Sequence, residues 1–358
     1  MKIGIVTVPD SANFGSFLQA YALKLVLEED GHTVVFFQTR EQDYLRKLYV
    51  DWKLKKRSIK HPVQFIMKNL NGRKKRQKFL EDQGLLEIRE IQADEKLDLI
   101  LLGSDEIWNV CTPVFRNPMF YGEGAWTAPT AAFAVSAGRA GYEDFLQYPD
   151  IIERIKHIPE IFVRDQNTMD IVEKITGECP KLVCDPTFLV PVESMKERYE
   201  DQYLREHRYL AVYLYPGSIS KENVRQIRKF ARKEKLTLVS VGFCNSWCDY
   251  NVNCRPLEFP SVLEGAEAVI TGTFHGTIFS VLNHKQFVSI SLMPKVKDLL
   301  RQLGIKERCA DKADLSEGML ENKLTKELID YGRIEETIRD MRRSSLLHLK
   351  GVITEYDK

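Results

Sequence analysis

The order of apolar and polar positions sets out the elements of the chain. Residues 2–8 form a short run rich in Ile and Val, and residues 33–37 (TVVFF) form a second. Between them lies SFLQAYALKLVLEEDG, whose apolar residues recur at helical spacing and end at Gly31. This spacing predicts a β-loop-α-β opening and so favours a parallel sheet. Residues 44–90 predict a helix-rich insertion. LDLILL (97–102) and AAFAVS (131–136) predict further buried strands, each running into small polar residues. IFVRD, a helix over about 166–176 and KLVCDP continue the alternation.

The polar stretch 186–208, with Pro186 and Pro191, predicts a linker. The pattern then restarts. Strands are expected at 209–215, 236–242, 267–271 and QFVSIS, with helices at 220–234 and GTIFSVLNH. Two α/β halves joined by a linker predict a cleft, with ligands beyond the carboxyl ends of the strands. The expected units are an N-terminal half over 1–190, carrying the insertion 44–90, and a C-terminal half over 205–322. A helical segment over 323–358, with its helix at about 323–348, is expected to pack on either half. No internal repeat at a fixed period and no low-complexity tract is evident.

Charge changes this picture. The chain has 358 residues, with 52 Lys+Arg against 51 Asp+Glu and a formal net charge of +1. That sum excludes a strongly basic nucleic-acid binder. Residues 46–78, however, hold 13 Lys/Arg and one acid, Asp51, a local net of +12 that leaves −11 for the rest. Hydrophobic residues at 44% and charged residues at 29% exclude global disorder. No apolar run approaches the roughly 18 residues of a membrane span. The N-terminus lacks the pattern of a signal peptide. Seven scattered cysteines do not make a disulfide framework in a chain this long. A cytoplasmic protein is expected.

Five strand-following loops carry candidate chemistry. Asn13, Gly15 and Ser16 precede a helix, where free N–H groups and the helix dipole suit an anion; a tight turn with a Ser cap is the alternative. In Gly103-Ser104-Asp105-Glu106-Ile107-Trp108-Asn109, Ser104 and Asp105 can bind hydroxyls. Trp108 there either stacks on a sugar or sits in the core. Ser136-Ala137-Gly138-Arg139 leaves room for a ligand, or is simply a turn. Arg164 can bind phosphate or carboxylate, or pair with Asp165 at the surface.

Thr271-Gly272-Thr273-Phe274-His275-Gly276-Thr277 is the richest loop. It combines hydroxyls, an imidazole able to transfer protons and a helix N-terminus. Cys244, Cys248 and Cys254 lack a fourth ligand and a tight two-residue spacing, so no metal site is expected. No Walker-type Gly-Lys-Ser/Thr is present, which argues against a P-loop nucleotide site.

Taken in order, these stretches resemble the polysaccharide pyruvyl transferase family from residue 2 to about 310. NFGSFLQAYALKLVLEEDGH, LILLGSDEIWN, FAVSAG, VRDQNTMDIV, CDPTFLV and TGTFHGTIFS are each similar to a family motif. Departures are Gly272 for the usual Asp, Thr273 for Ser, Glu106 for Gln and Ala137 for Phe.

The resemblance implies an α/β fold with two Rossmann-like domains facing a cleft, similar to the GT-B glycosyltransferases. It implies transfer of pyruvate from phosphoenolpyruvate to a sugar as a ketal, with no cofactor required. On that basis His275 is expected as acid/base and Arg164 as donor-anion binder. Asn13, Gly15, Ser16, Ser136, Thr271, Thr273, Gly276 and Thr277 would surround the donor. Ser104, Asp105 and Trp108 would face the acceptor, a sugar or lipid-linked glycan. Two other readings are a glycosyltransferase using a nucleotide sugar and a non-catalytic glycan-binding relative, for which the Gly272 departure leaves room.

The basic stretch 46–78 also holds Trp52, Phe65, Ile66 and Met67. Either it is a solvated helical insertion, or it lies peripherally on anionic lipid at the inner membrane face. Liposome binding that is lost in salt, and lost on neutralising Arg73 to Arg76, would mark the second.

Overall fold

A computed structural model describes residues 1–9, 13–39, 62–92, 95–291 and 293–357, with backbone alone over 62–69. The first half contains β1 (Lys2–Val6), α1 (Phe14–Glu29), β2 (Thr33–Phe37), α2 (Pro62–Gln83), β3 (Ile88–Arg89) and β4 (Leu99–Leu102). It continues with β5 (Thr130–Val135), α3 (Tyr142–Phe145), α4 (Pro149–Lys156), β6 (Glu160–Val163), α5 (Gln166–Thr176) and β7 (Lys181–Leu182). The seven strands form one parallel sheet in the order β3-β2-β1-β4-β5-β6-β7.

After a short helix, α6 (Gln202–Glu206), the second half repeats the plan. It contains β8 (Tyr209–Tyr213), α7 (Lys221–Lys233), β9 (Thr237–Val241), β10 (Tyr250–Val252), α8 (Phe259–Glu264), β11 (Ala268–Thr271), α9 (Phe274–Leu282), β12 (Gln286–Ser289), α10 (Pro294–Gln302) and α11 (Glu317–Glu321). Its five-stranded parallel sheet runs β10-β9-β8-β11-β12. Each sheet reverses strand order once, between β1 and β4 and between β8 and β11. Such switch points open a crevice at the carboxyl ends of the strands.

The central strands are buried on both faces, as parallel sheets require, whereas the two-residue edge strands β3 and β7 are not. In β8, Tyr209, Ala211 and Tyr213 join a core that continues into the first half, whereas Leu210 and Val212 pack outward with Ile227 and Phe230 of α7. The shared core also takes Ile3, Phe17, Leu101, Val239, Val269 and Phe279. The two halves are therefore joined by apolar packing as well as by chain.

Three expectations about connections change. The stretch 186–208 is not a bare linker: Phe188, Leu189, Val190 and Met195 are buried in the shared core. The last helix, α12 (Tyr331–Tyr356), starts later and ends later than expected. It is separated from a short π-turn over Asn322–Lys326 by a new start, where Asp330 caps Gly332. It also packs on both halves rather than one. The Tyr331 hydroxyl donates to Lys285 O at 2.5 Å, while Ser345 accepts from Cys184 N at 2.9 Å.

The basic stretch is only partly in view. Residues 46–61, with Trp52, and the side chains of Phe65, Ile66 and Met67 lie outside the described residues. The rest of α2 docks against the second half. Arg255 donates to Asp82 at 2.7 Å, Leu257 N to Asp82 at 2.9 Å, and Asn253 to Asn71 at 2.6 Å. Among the described residues no helix is long and apolar enough to cross a membrane.

Candidate functional site

The loops after β1, β4, β6 and β7 meet the loop after β11 at one place. Asn13 caps α1 by accepting from Gly15 N at 3.0 Å, so the cap is an Asn and not a Ser. That frees the Ser16 hydroxyl, which donates to Asp105 at 2.5 Å. Gly103, with φ +137 and its α-carbon against the Phe133 carbonyl, admits no side chain. This close approach brings Ser104 and Asp105 over the sheet edge.

Arg164 leaves the end of β6 and lies beneath the cleft. Its guanidinium donates to Asp185 at 2.5 Å, to Ser104 Oγ at 3.1 Å and to Asp105 at 3.2 Å. Its side chain is 0% exposed, and the Phe274 ring covers it at 5.0 Å. Asp165 is not its partner; it caps α5 by accepting from Thr168 N. Arg164 is thus a buried clamp on two carboxylates, and its charge is already matched.

Asp185 sits just after β7, before Pro186. One oxygen accepts from Thr187 N and Oγ1, the other from Arg164. That second oxygen also faces His275 Nε2 at 3.5 Å. Burial alone would push the Asp185 carboxyl up, but His275 and Arg164 together hold it well below the usual range. Asp105 behaves likewise. Burial opposes its charge, and Arg164, His275 and Lys295 outweigh that, holding it at about 2.

His275 occupies the first turn of α9. Thr273 caps that helix by accepting from Gly276 N at 2.9 Å. Gly276 is needed because a Cβ there would overlap the Thr271 and Thr273 hydroxyls. Across the cleft, a Cβ at Gly15 would overlap the His275 ring. The two halves therefore touch at Gly15 and His275. Among the described residues, His275 Nε2 is buried and makes no formed hydrogen bond; it faces Asp185 at 3.5 Å.

Some expected site residues serve other ends. Trp108 does not face a sugar: it is buried, its indole N–H donates to Phe120 O at 2.7 Å, and it stacks on Tyr121. The apolar neighbourhood of β4 and β5 claims its ring. Ser104 and Ser136 are fully buried, with hydroxyls engaged by Arg164 and by Gly138 N. The Thr277 hydroxyl is taken up by Thr273 O and Ser289. Thr271 supports the turn by accepting from Thr273 N.

Asp185, Lys295 and Glu106 were not expected as a group. Lys295, at the start of α10, pairs with Glu106 and lies 4.8 Å from the Phe274 ring that also meets Arg164. The Asp-Pro-Thr motif could have signalled Asp185. Nothing in the local pattern marks Lys295, which reaches the site only through the fold.

Two parallel α/β halves meeting at their strand ends define a two-domain, Rossmann-like protein of the GT-B type. A UDP-N-acetylglucosamine 2-epimerase shares the arrangement, at 11% identity and TM-score 0.54, over 98% of this chain and 96% of that one. Arabidopsis thaliana UGT89C1 complexed with quercetin is similar at 10% identity and TM-score 0.51, over 99% of each chain. S. aureus MnaA in a UDP co-structure is similar at 12% identity and TM-score 0.50, over 95% and 96%. These likenesses are of fold. The polysaccharide pyruvyl transferase family model matches residues 13–292, and the chain belongs to that transferase family. No curated protein matches it.

Proposed function

We infer that the cleft transfers a pyruvyl group from phosphoenolpyruvate to two hydroxyls of a sugar in a glycan, forming a ketal. The observation that carries this reading is His275, buried with its Nε2 3.5 Å from the Asp185 carboxylate that Arg164 clamps. Such a pair keeps an imidazole oriented for proton transfer. Protonation of the donor's methylene carbon makes its C2 electrophilic. A sugar hydroxyl adds to C2 and loses its proton. Phosphate departs with the C2–O bond electrons, and a second hydroxyl closes the ketal and releases the last proton.

His275 moves these protons in this reading. Asp185 orients it, and Arg164 positions Asp185 from below instead of meeting the donor directly. The first turn of α9, with Lys295 shared between Glu106 and the donor, offers positive charge to the donor's phosphate and carboxylate. The test is phosphate release from phosphoenolpyruvate in the presence of candidate glycans. His275→Ala is expected to lose about 10²–10⁴-fold in rate. Wild-type turnover by that variant would remove the assignment, and turnover of a nucleotide sugar in place of phosphoenolpyruvate would replace the donor.

A further inference from the structure

Lys75 stands apart from the other cations of α2. It is 7% exposed, and its ammonium lies 4.9 Å from the Phe14 ring centroid, 5.6 Å from Phe79 and 4.4 Å from Phe243. Among the described residues no carboxylate pairs with it. Asp82, two turns further along α2, is committed to Arg255 and Leu257 N. The polar group that does bear on it is the Cys254 thiol, which burial keeps protonated. An unmatched ammonium in such a place is held where a ligand's charge can complete it.

Its aromatic neighbours lead towards the strand ends of the second sheet. Phe243 follows β9, at the strand ends of the second sheet but away from β11 and His275. The Tyr215 ring, 49% exposed, lies 4.7 Å from Phe243. Phe243 thus lies between the Lys75 ammonium, at 4.4 Å, and the half-exposed Tyr215 ring. A half-exposed aromatic ring one contact away from a buried cation suits a sugar ring. A single ammonium is a point charge suited to phosphate, whereas a planar carboxylate is better matched by an arginine fork.

We propose that Lys75, with Phe243 and Tyr215, forms a subsite for a phosphoryl group carried by the acceptor. This rests on the pyruvyl-transfer reading for the word acceptor, but the phosphoryl site itself is tested without turnover. Native protein is acylated at its amines at pH 8.5, and the rate at Lys75 is read by peptide mass spectrometry. Inorganic pyrophosphate, glucose 1-phosphate and farnesyl diphosphate are the probes, with glucose and phosphoenolpyruvate as controls.

Protection of Lys75 by about tenfold or more with a phosphoryl probe, and by neither control, is expected. Protection by pyrophosphate and glucose 1-phosphate marks recognition of the phosphoryl group alone, and protection confined to farnesyl diphosphate marks a lipid-linked source. Equal acylation with and without all three probes overturns the proposal. Equal protection by phosphoenolpyruvate moves Lys75 to the donor site and also overturns it. Lys75→Met is expected to weaken glucose 1-phosphate about tenfold and to leave phosphoenolpyruvate binding unchanged. Failure of the protein to bind phosphoenolpyruvate at all removes the donor reading while leaving the protection result intact.

Discussion

Lys75 and Arg164 are both buried cations, but their surroundings differ. Arg164 has Asp105 and Asp185 within hydrogen-bond reach, so its desolvation is offset by charge-assisted bonds. Lys75 has aromatic faces, which return up to about 2 kcal/mol for a desolvated cation. Burial brings its ammonium down to about 8. In the unfolded chain the same group titrates near 10.4. Below pH 8 both states are protonated, and the folded state bears the whole cost of the buried charge. Between about 8 and 10.4 the folded state has released its proton while the unfolded state keeps it, so stability rises with pH. Lys75→Met should therefore stabilise the protein at pH 7 by about 1–3 kcal/mol, and the gain should shrink above pH 8. Urea midpoints at pH 7 and pH 9.5 read this directly. A constant difference, or a loss at pH 7, would contradict the reading of Lys75 as an uncompensated charge.

At the level of elements, α2 is an arm of the first half that leans on the second. Its hold is Asp82, whose two oxygens accept from Arg255 and from Leu257 N. Asp82→Ala would leave the buried Leu257 amide without its acceptor and take one of several carboxylates from Arg255, which keeps Glu197 and Glu258. A cost of about 2–4 kcal/mol is expected. Amide hydrogen exchange should rise along α2 while β1 and β4 stay protected; uniform exchange across all three would show that the arm does not open separately.

Such docking was not legible in the sequence, where the same residues read either as a solvated helical insertion or as a face lying on anionic lipid. The central strands were legible, because LILL is apolar at every position and AVIT at all but its last, as two-sided burial demands. The edge strands β3 and β7, two residues each, carry no such pattern. The loop after β11 announced itself by composition. The ring of Trp108 did not: a Trp beside a polar loop serves a pocket or a core equally well until the neighbouring helices are placed. Asp185 and Lys295 join His275 from far along the chain, and no local periodicity encodes that meeting.

Across the whole molecule, the two halves are not free to move as independent bodies. One apolar core runs through both, and α12 begins against the second half at Lys285 and ends on the first. Arg342 donates to Phe188 O at 2.6 Å and Val190 O at 3.3 Å, and Lys350 meets Asp30 at 3.0 Å. The Arg342 and Ser345 bonds fix the chain segment that joins the halves, next to Asp185. Thermal unfolding of the wild type should accordingly be one cooperative transition despite two sheets. Arg342→Ala with Ser345→Ala removes three bonds to that segment, each contributing about 1 kcal/mol, more where charged. Neither side chain lies in the cleft, so the variant should keep its donor affinity while its rate falls. The reason is that Asp185, freed at Cys184 on one side and at Phe188 and Val190 on the other, no longer holds the 3.5 Å approach to His275. Calorimetry of the variant should show a lower and broader transition or two resolved ones. A wild type that already unfolds in two steps, or a variant with unchanged melting and unchanged rate, would show that α12 merely covers the joint instead of setting the geometry of the site.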